Sequence, residues 1–233
     1  MSAIARGAAL LRHDVRLQYR SGVHAAYLFV AVSYIVMVRM LPQDMRALVL
    51  APVLLSEASV VGFFFAGALL HLERSDGVLQ ALGVTPVTTL QYIAARALTL
   101  TGLAVLLALG LGLGSGTTGV RPATLAVAAA LTALFLAVAG LAVASRFDGI
   151  DRFVVLGGLV SAGLGLPVLP YLGVLESPLW RVLPTDAALR LLAQGLGAQG
   201  VAGAGSAAWL LAWCAAAAWL ARRWLDRYAL GRA

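Results

Sequence analysis

The sequence predicts an all-α polytopic membrane protein with six transmembrane helices and an N-terminal amphipathic interfacial helix. Three observations carry that prediction. Hydrophobic residues make up 61% of the 233, charged residues only 12%, and the mean hydropathy is +0.92; a soluble domain carries about 25% charged residues. Apolar runs near the bilayer-crossing length of about 20 residues recur six times. The arginines gather on alternate connections between those runs.

The elements follow in chain order as one domain. Residues 1–22 hold Arg6, Arg12, Arg16 and Arg20, with Ile4, Ala8, Leu11, Val15 and Tyr19 at helical spacing. This pattern predicts a helix lying along the membrane surface, and it lacks the apolar core of a cleavable signal. The six spans fall at about 23–41, 50–72, 92–114, 122–145, 153–172 and 202–221. Glycines crowd the ends of the third and fifth, where small residues let helix backbones approach in lipid.

The segment 173–200 is too polar to span and too apolar for a free loop. Pro184, Thr185 and Asp186 can start a short helix there, with Leu189, Leu192 and Leu196 on one face. The outer interface is its expected place, either along the surface or re-entering the membrane, where protein or water must satisfy any non-helical backbone.

An even span count puts both termini on one side. With the N-terminus inside, twelve arginines face the cytoplasm and five (Arg39, Arg46, Arg121, Arg181 and Arg190) the outside. The positive-inside rule favours that orientation, with both termini in the cytoplasm of a multi-pass protein of the inner (plasma) membrane. The net charge of +7 is therefore read as topology and not as nucleic-acid binding.

The chemistry is sparse. All 17 basic residues are arginine, so the lysine that a P-loop needs to reach nucleotide phosphates is absent. Any ATP and Mg must sit on a partner subunit. The three histidines lie on separate segments and Cys214 is alone, which predicts no metal site, no cofactor in this chain and no enzymatic role. Glu57 is the one acid inside an expected span. It reads either as a residue lining a substrate path or as an outer-surface residue before a shorter span.

The polar loop 73–91 sits between the second and third spans. Asp76 can cap a short helix whose Val78, Leu79 and Leu82 present an apolar patch. Thr85 and Pro86 form a second start signal, N-cap and first helical position, for a helix continuing into the third span. The patch either meets a protein partner or dips into lipid.

Glu73, Gly77-Val78-Leu79, Ala81-Leu82, Val84-Thr85-Pro86-Val87, Gln91-Tyr92 and Arg96 follow Gly62-Phe63-Phe64-Phe65. This series resembles the cytoplasmic loop of ABC-2 type transporter permeases, and most of all the "GFFF…E…L…TP…EYL" pattern of the fluoroquinolone-export permease group. Family members often carry Lys at the positions of Arg74 and Arg96 and Glu at Gln91, so charge is kept at two of the three.

The resemblance implies a six-helix permease subunit that pairs with a second one, alike or related. It implies docking of an ATP-binding cassette subunit on the N-terminal helix and the 73–91 loop, to export a small, drug-like or lipophilic substrate. Glu73, Asp76, Gly77, Leu79, Leu82, Thr85 and Pro86 are then the coupling residues, and Glu57 and Thr185 candidates for the path. Two other classes stay open: an autonomous carrier driven by an ion gradient, and a membrane subunit without transport.

Overall fold

The computed structural model describes residues 23–83, 85, 87–174, 177–198 and 204–229. The surface helix expected over 1–22 lies outside the described residues, as does Pro86. Among the described residues every regular element is helical. We label them α1 (Val23–Arg39), α2 (Gln43–Ser75), α3 (Val78–Gly83), α4 (Thr89–Gly114), α5 (Pro122–Ser145), α6 (Ile150–Tyr171), α7 (Pro184–Gly195) and α8 (Ala204–Trp224).

Four of these, α2, α4, α5 and α6, are long and apolar enough to cross a membrane by length and composition. The other two expected spans correspond to α1 and α8. The described part of α1, Val23–Arg39, is apolar along its 17 residues and closes on Arg39. The 21-residue α8 carries four tryptophans and closes on Arg222 and Arg223.

The second expected span, 50–72, begins too late. α2 starts at Gln43, directly after Pro42, with Asp44 in its first turn where a carboxylate suits the helix dipole. Hydropathy misses this start because Gln43, Asp44 and Arg46 are polar. At 33 residues the helix is about 50 Å long, well beyond a hydrocarbon core of about 30 Å. Its middle is irregular: Pro52 removes one backbone donor, and Ser59–Phe64 forms a π-helical stretch.

The centre of the bundle is α5, of whose span 61% is buried, against 17% for α6. α4, α8, α7 and the π-helical stretch of α2 all pack on it. The closest approach is at Gly140, where an added Cβ would lie 2.2 Å from the Phe63 carbonyl oxygen and 2.7 Å from its Cα. Gly62 faces α5 in the same way, its Cβ position 3.1 Å from the Ala133 carbonyl. The π-helical stretch and α5 therefore touch backbone to backbone, the contact that small residues permit in lipid.

The helix expected within 173–200 exists as α7, preceded by a 3-10 turn at Pro178–Val182. Leu189, Leu192 and Leu196 are almost fully buried, because this leucine face packs on α5 and α2. The Arg121 N–H bonds the Gly195 carbonyl at 2.8 Å, and the Thr185 hydroxyl donates to the Leu164 carbonyl of α6 at 2.5 Å.

The Gly140 contact is testable. Gly140→Ala forces backbone apart and lowers stability by about 1–3 kcal/mol, read as a lower unfolding midpoint in detergent. Gly158→Ala, where the added Cβ meets nothing within 4 Å, leaves the midpoint in place.

Candidate functional site

The loop joining α2 to α4 is built from its ends inward. α2 stops at Ser75, with Asp76 as its C-cap (φ −81°, ψ 0°). Gly77 follows at φ +74°, the left-handed position that glycine fills after a helix end. The Gly77 N–H bonds the Arg74 carbonyl at 3.3 Å and its own carbonyl accepts from Ala81 at 3.1 Å, starting α3. Asp76 thus closes α2, where the sequence suggested that it caps α3.

α4 begins three residues later than Pro86. Its N-cap is Thr88, whose hydroxyl accepts from the Gln91 N–H at 3.2 Å, while Gln91 Oε1 accepts from the Thr88 N–H at 3.1 Å. This is a reciprocal capping box, and Thr88-x-x-Gln91 is its sequence form. It displaces the Thr85-Pro86 start signal: Thr85 is exposed, outside the helix, and accepts from the Val87 N–H at 3.4 Å.

The centre of the loop is a buried polar cluster. Glu73 near the end of α2 is 8% exposed and Arg96 in α4 is 1% exposed. Arg96 Nη2 pairs with Glu73 Oε1. The Tyr92 hydroxyl donates to Glu73 Oε2 at 2.5 Å, and the Arg96 guanidinium lies 5.9 Å from the Tyr92 ring centroid, within cation–π range. Tyr92 and Arg96 share one face of α4 at i,i+4 spacing. Together they clamp both oxygens of the carboxylate.

Further polar contacts gather at the same end of the bundle. Arg74 Nη1 donates to the Phe147 carbonyl at 2.7 Å and lies 3.8 Å from Asp148, reaching the α5–α6 connection. The Thr89 hydroxyl donates to Asp226, just past α8. Arg146 sits 5.4 Å from the Trp224 ring centroid. Polar contacts thus join the ends of α2, α4, α5 and α8.

The loop's leucines differ from expectation. Leu79 is 2% exposed and belongs to the core, so it presents no apolar patch; the side chain of Leu82 lies outside the described residues. A six-residue helix laid on the bundle must turn one face inward, and Leu79 is on that face. The outward residues are Asp76, Val78, Gln80 and Ala81.

Glu57 lies near the middle of α2 and is 9% exposed. Its carboxylate faces the Tyr34 hydroxyl of α1. It also lines a cavity of about 10 Å³ walled by Leu54, Ala104, Ala108 and Leu192, room for about one water. Thr185 is 1% exposed and spent on the Leu164 carbonyl. Glu57 and Thr185 therefore sit inside the subunit, apart from the loop cluster. Among the described residues, no three His, Cys, Asp or Glu side chains are placed to hold a metal ion.

Sequence reasoning missed Tyr92 and Arg96 as partners of Glu73. The signal was present: an arginine inside a span needs a counter-charge at similar depth, and Glu73 ends the neighbouring span.

Comparison with known proteins gives these features a family. The model of the fluoroquinolones export permease protein family matches residues 5–233. The chain belongs to that family. Two fluoroquinolones export permease proteins from Mycobacterium tuberculosis, of strains CDC 1551 / Oshkosh and ATCC 25618 / H37Rv, are each 24% identical to it over 183 residues, covering 78% of this chain and 77% of theirs. No solved structure matches. The family places the chain among multi-pass membrane transport permeases, and the resemblance carried by Glu73, Gly77, Pro86 and Arg96 pointed to the same group.

The cluster generates a direct expectation. Tyr92→Phe removes one hydrogen bond to the buried carboxylate and lowers stability by about 1.5–3 kcal/mol. Gln80→Ala, on the exposed face of α3, leaves the unfolding midpoint unchanged in the same assay.

Proposed function

We propose that this chain is the membrane-spanning permease subunit of an ATP-binding cassette exporter. It crosses the inner membrane six times, with α1 and α8 completing the four longer spans, and keeps both termini in the cytoplasm. Two permease subunits, identical or related, enclose the path. Each docks a separate subunit that binds ATP and Mg. The cargo is a small lipophilic drug-like molecule, and the names of the relatives make fluoroquinolones the first substrates to try.

The single observation that supports this reading best is the Glu73–Tyr92–Arg96 cluster within a family of export permeases. It fastens α2 to α4 beside a short helix whose other face is open. A push on α3 is then delivered to two spans together. In this reading Glu73 is an internal strut, and Gly77 supplies the reversal between α2 and α3. Asp76, Val78, Gln80 and Ala81 make the contact surface, Thr85 is exposed as well, and residues 1–22, Leu82 and Pro86 are proposed to contribute to docking. Glu57, which lines a small cavity, and Thr185 are the candidate residues for the translocation path.

The test is to reconstitute the chain with its ATP-binding subunit in vesicles and follow fluoroquinolone movement. ATP-dependent export is expected, and ion-gradient-driven movement by this chain alone would oppose the reading in favour of an autonomous carrier. Val78→Asp with Ala81→Asp should weaken co-purification of the ATP-binding subunit about tenfold or more while the permease remains folded. Undiminished docking and export would remove α3 from the contact surface.

A further inference from the structure

A groove of about 410 Å³ opens between the end of α2 and the start of α6. Its volume is that of a small-ligand site. Leu72 and Ile150 flank it, 49% and 46% exposed, at the matching ends of two membrane-crossing helices. The N-terminus of the 16-residue helical run beginning at Ile150 opens into it: Gly149 is the N-cap and no side chain caps its N–H groups. Such an end favours an anion. Arg74, fixed by the Phe147 carbonyl at 2.7 Å, lines the same groove. So does His71, which is 7% exposed and whose Nε2 has no hydrogen-bond partner. A buried donor or acceptor left without a partner is uncommon in folded proteins.

We propose that this groove binds the phosphate of an anionic phospholipid headgroup, held by Arg74 and the first N–H groups of α6, with His71 in the groove wall behind them and acyl chains along Leu72 and Ile150. Apolar flanks at the level where spans end favour a lipid over a free anion, and basic pockets between transmembrane helices take such headgroups. Two carboxylates oppose the ligand and set its affinity. Asp148 is 97% exposed at the side chain and 3.8 Å from Arg74, and Asp151 lies in the first turn of α6. The site stands on the membrane placement of α2 and α6, so it holds whether or not an ATP-binding subunit drives the permease.

The experiment uses the full chain in nanodiscs of phosphatidylcholine with increasing phosphatidylglycerol, reading retained lipid by native mass spectrometry and the unfolding midpoint. Phosphatidylglycerol should be retained over phosphatidylcholine and should raise the midpoint. Arg74→Gln should weaken that preference roughly tenfold, the effect of losing one charge-assisted contact. Asp148→Asn alters an exposed carboxylate and should strengthen it roughly threefold or more, which separates binding from folding. Millimolar inorganic phosphate should not substitute. Equal retention of the two lipids, an Asp148→Asn variant indistinguishable from the parent, or full protection by inorganic phosphate would each overturn the proposal.

Discussion

A charge set among membrane-spanning helices has to be answered, and in this chain Arg96 is answered by Glu73. Removing one member of such a pair leaves the other buried and uncompensated, which is far costlier than never having placed either. Tyr92 occupies the second carboxylate oxygen, so the acid is held on both sides. Because Glu73 lies in the last turn of α2 and Arg96 about two turns into α4, the cluster welds two spans near where the chain reverses. The capping box at Thr88 and Gln91, the reversal at Gly77 and the inward-facing Leu79 all shape the short connection that this weld permits.

The weld sits on a bundle organised around α5. Gly140 and Gly62 bring α5 against the π-helical stretch of α2 at backbone distance, so α2 is gripped in its middle as well as at its end. Glu57 precedes that stretch by two residues, facing Tyr34 and a cavity for about one water. α6 contrasts with this core: mostly exposed, it is joined to the loop cluster at its start through Arg74 and the Phe147 carbonyl. A tightly held α2–α4–α5 unit beside a loosely covered α6 is an arrangement in which a force on one end moves several helices together.

Much of this was legible in the sequence. Composition and apolar runs located the four helices long and apolar enough to cross a membrane, since length and hydropathy respond to the bilayer directly. The order Gly62-Phe63-Phe64-Phe65, Glu73, Thr85-Pro86 and Tyr92 pointed to the family. What failed were the readings that depend on which face a residue presents. Leu79 looked exposed because a loop was assumed to face outward, yet tertiary packing turned it in. Thr85-Pro86 read as the helix start, whereas the reciprocal bonds between Thr88 and Gln91 set it three residues later. Gln43 was lost to a hydropathy window that discounts polar first turns. The Glu73–Arg96 pairing needed the recognition that two charges at similar depth on neighbouring spans must find each other, a constraint that composition alone does not express.

The central claim, that Glu73 and Arg96 act as one unit fastening α2 to α4, is tested most directly by a double-mutant cycle on unfolding free energy. Glu73→Leu and Arg96→Met are measured singly and together in detergent. Each single change should cost about 3–5 kcal/mol by stranding its partner's charge, and the double variant should cost much less than the sum, with a coupling of about 2 kcal/mol or more. Losses that simply add would show that the two charges are stabilised independently, and the account of a welded loop would not stand.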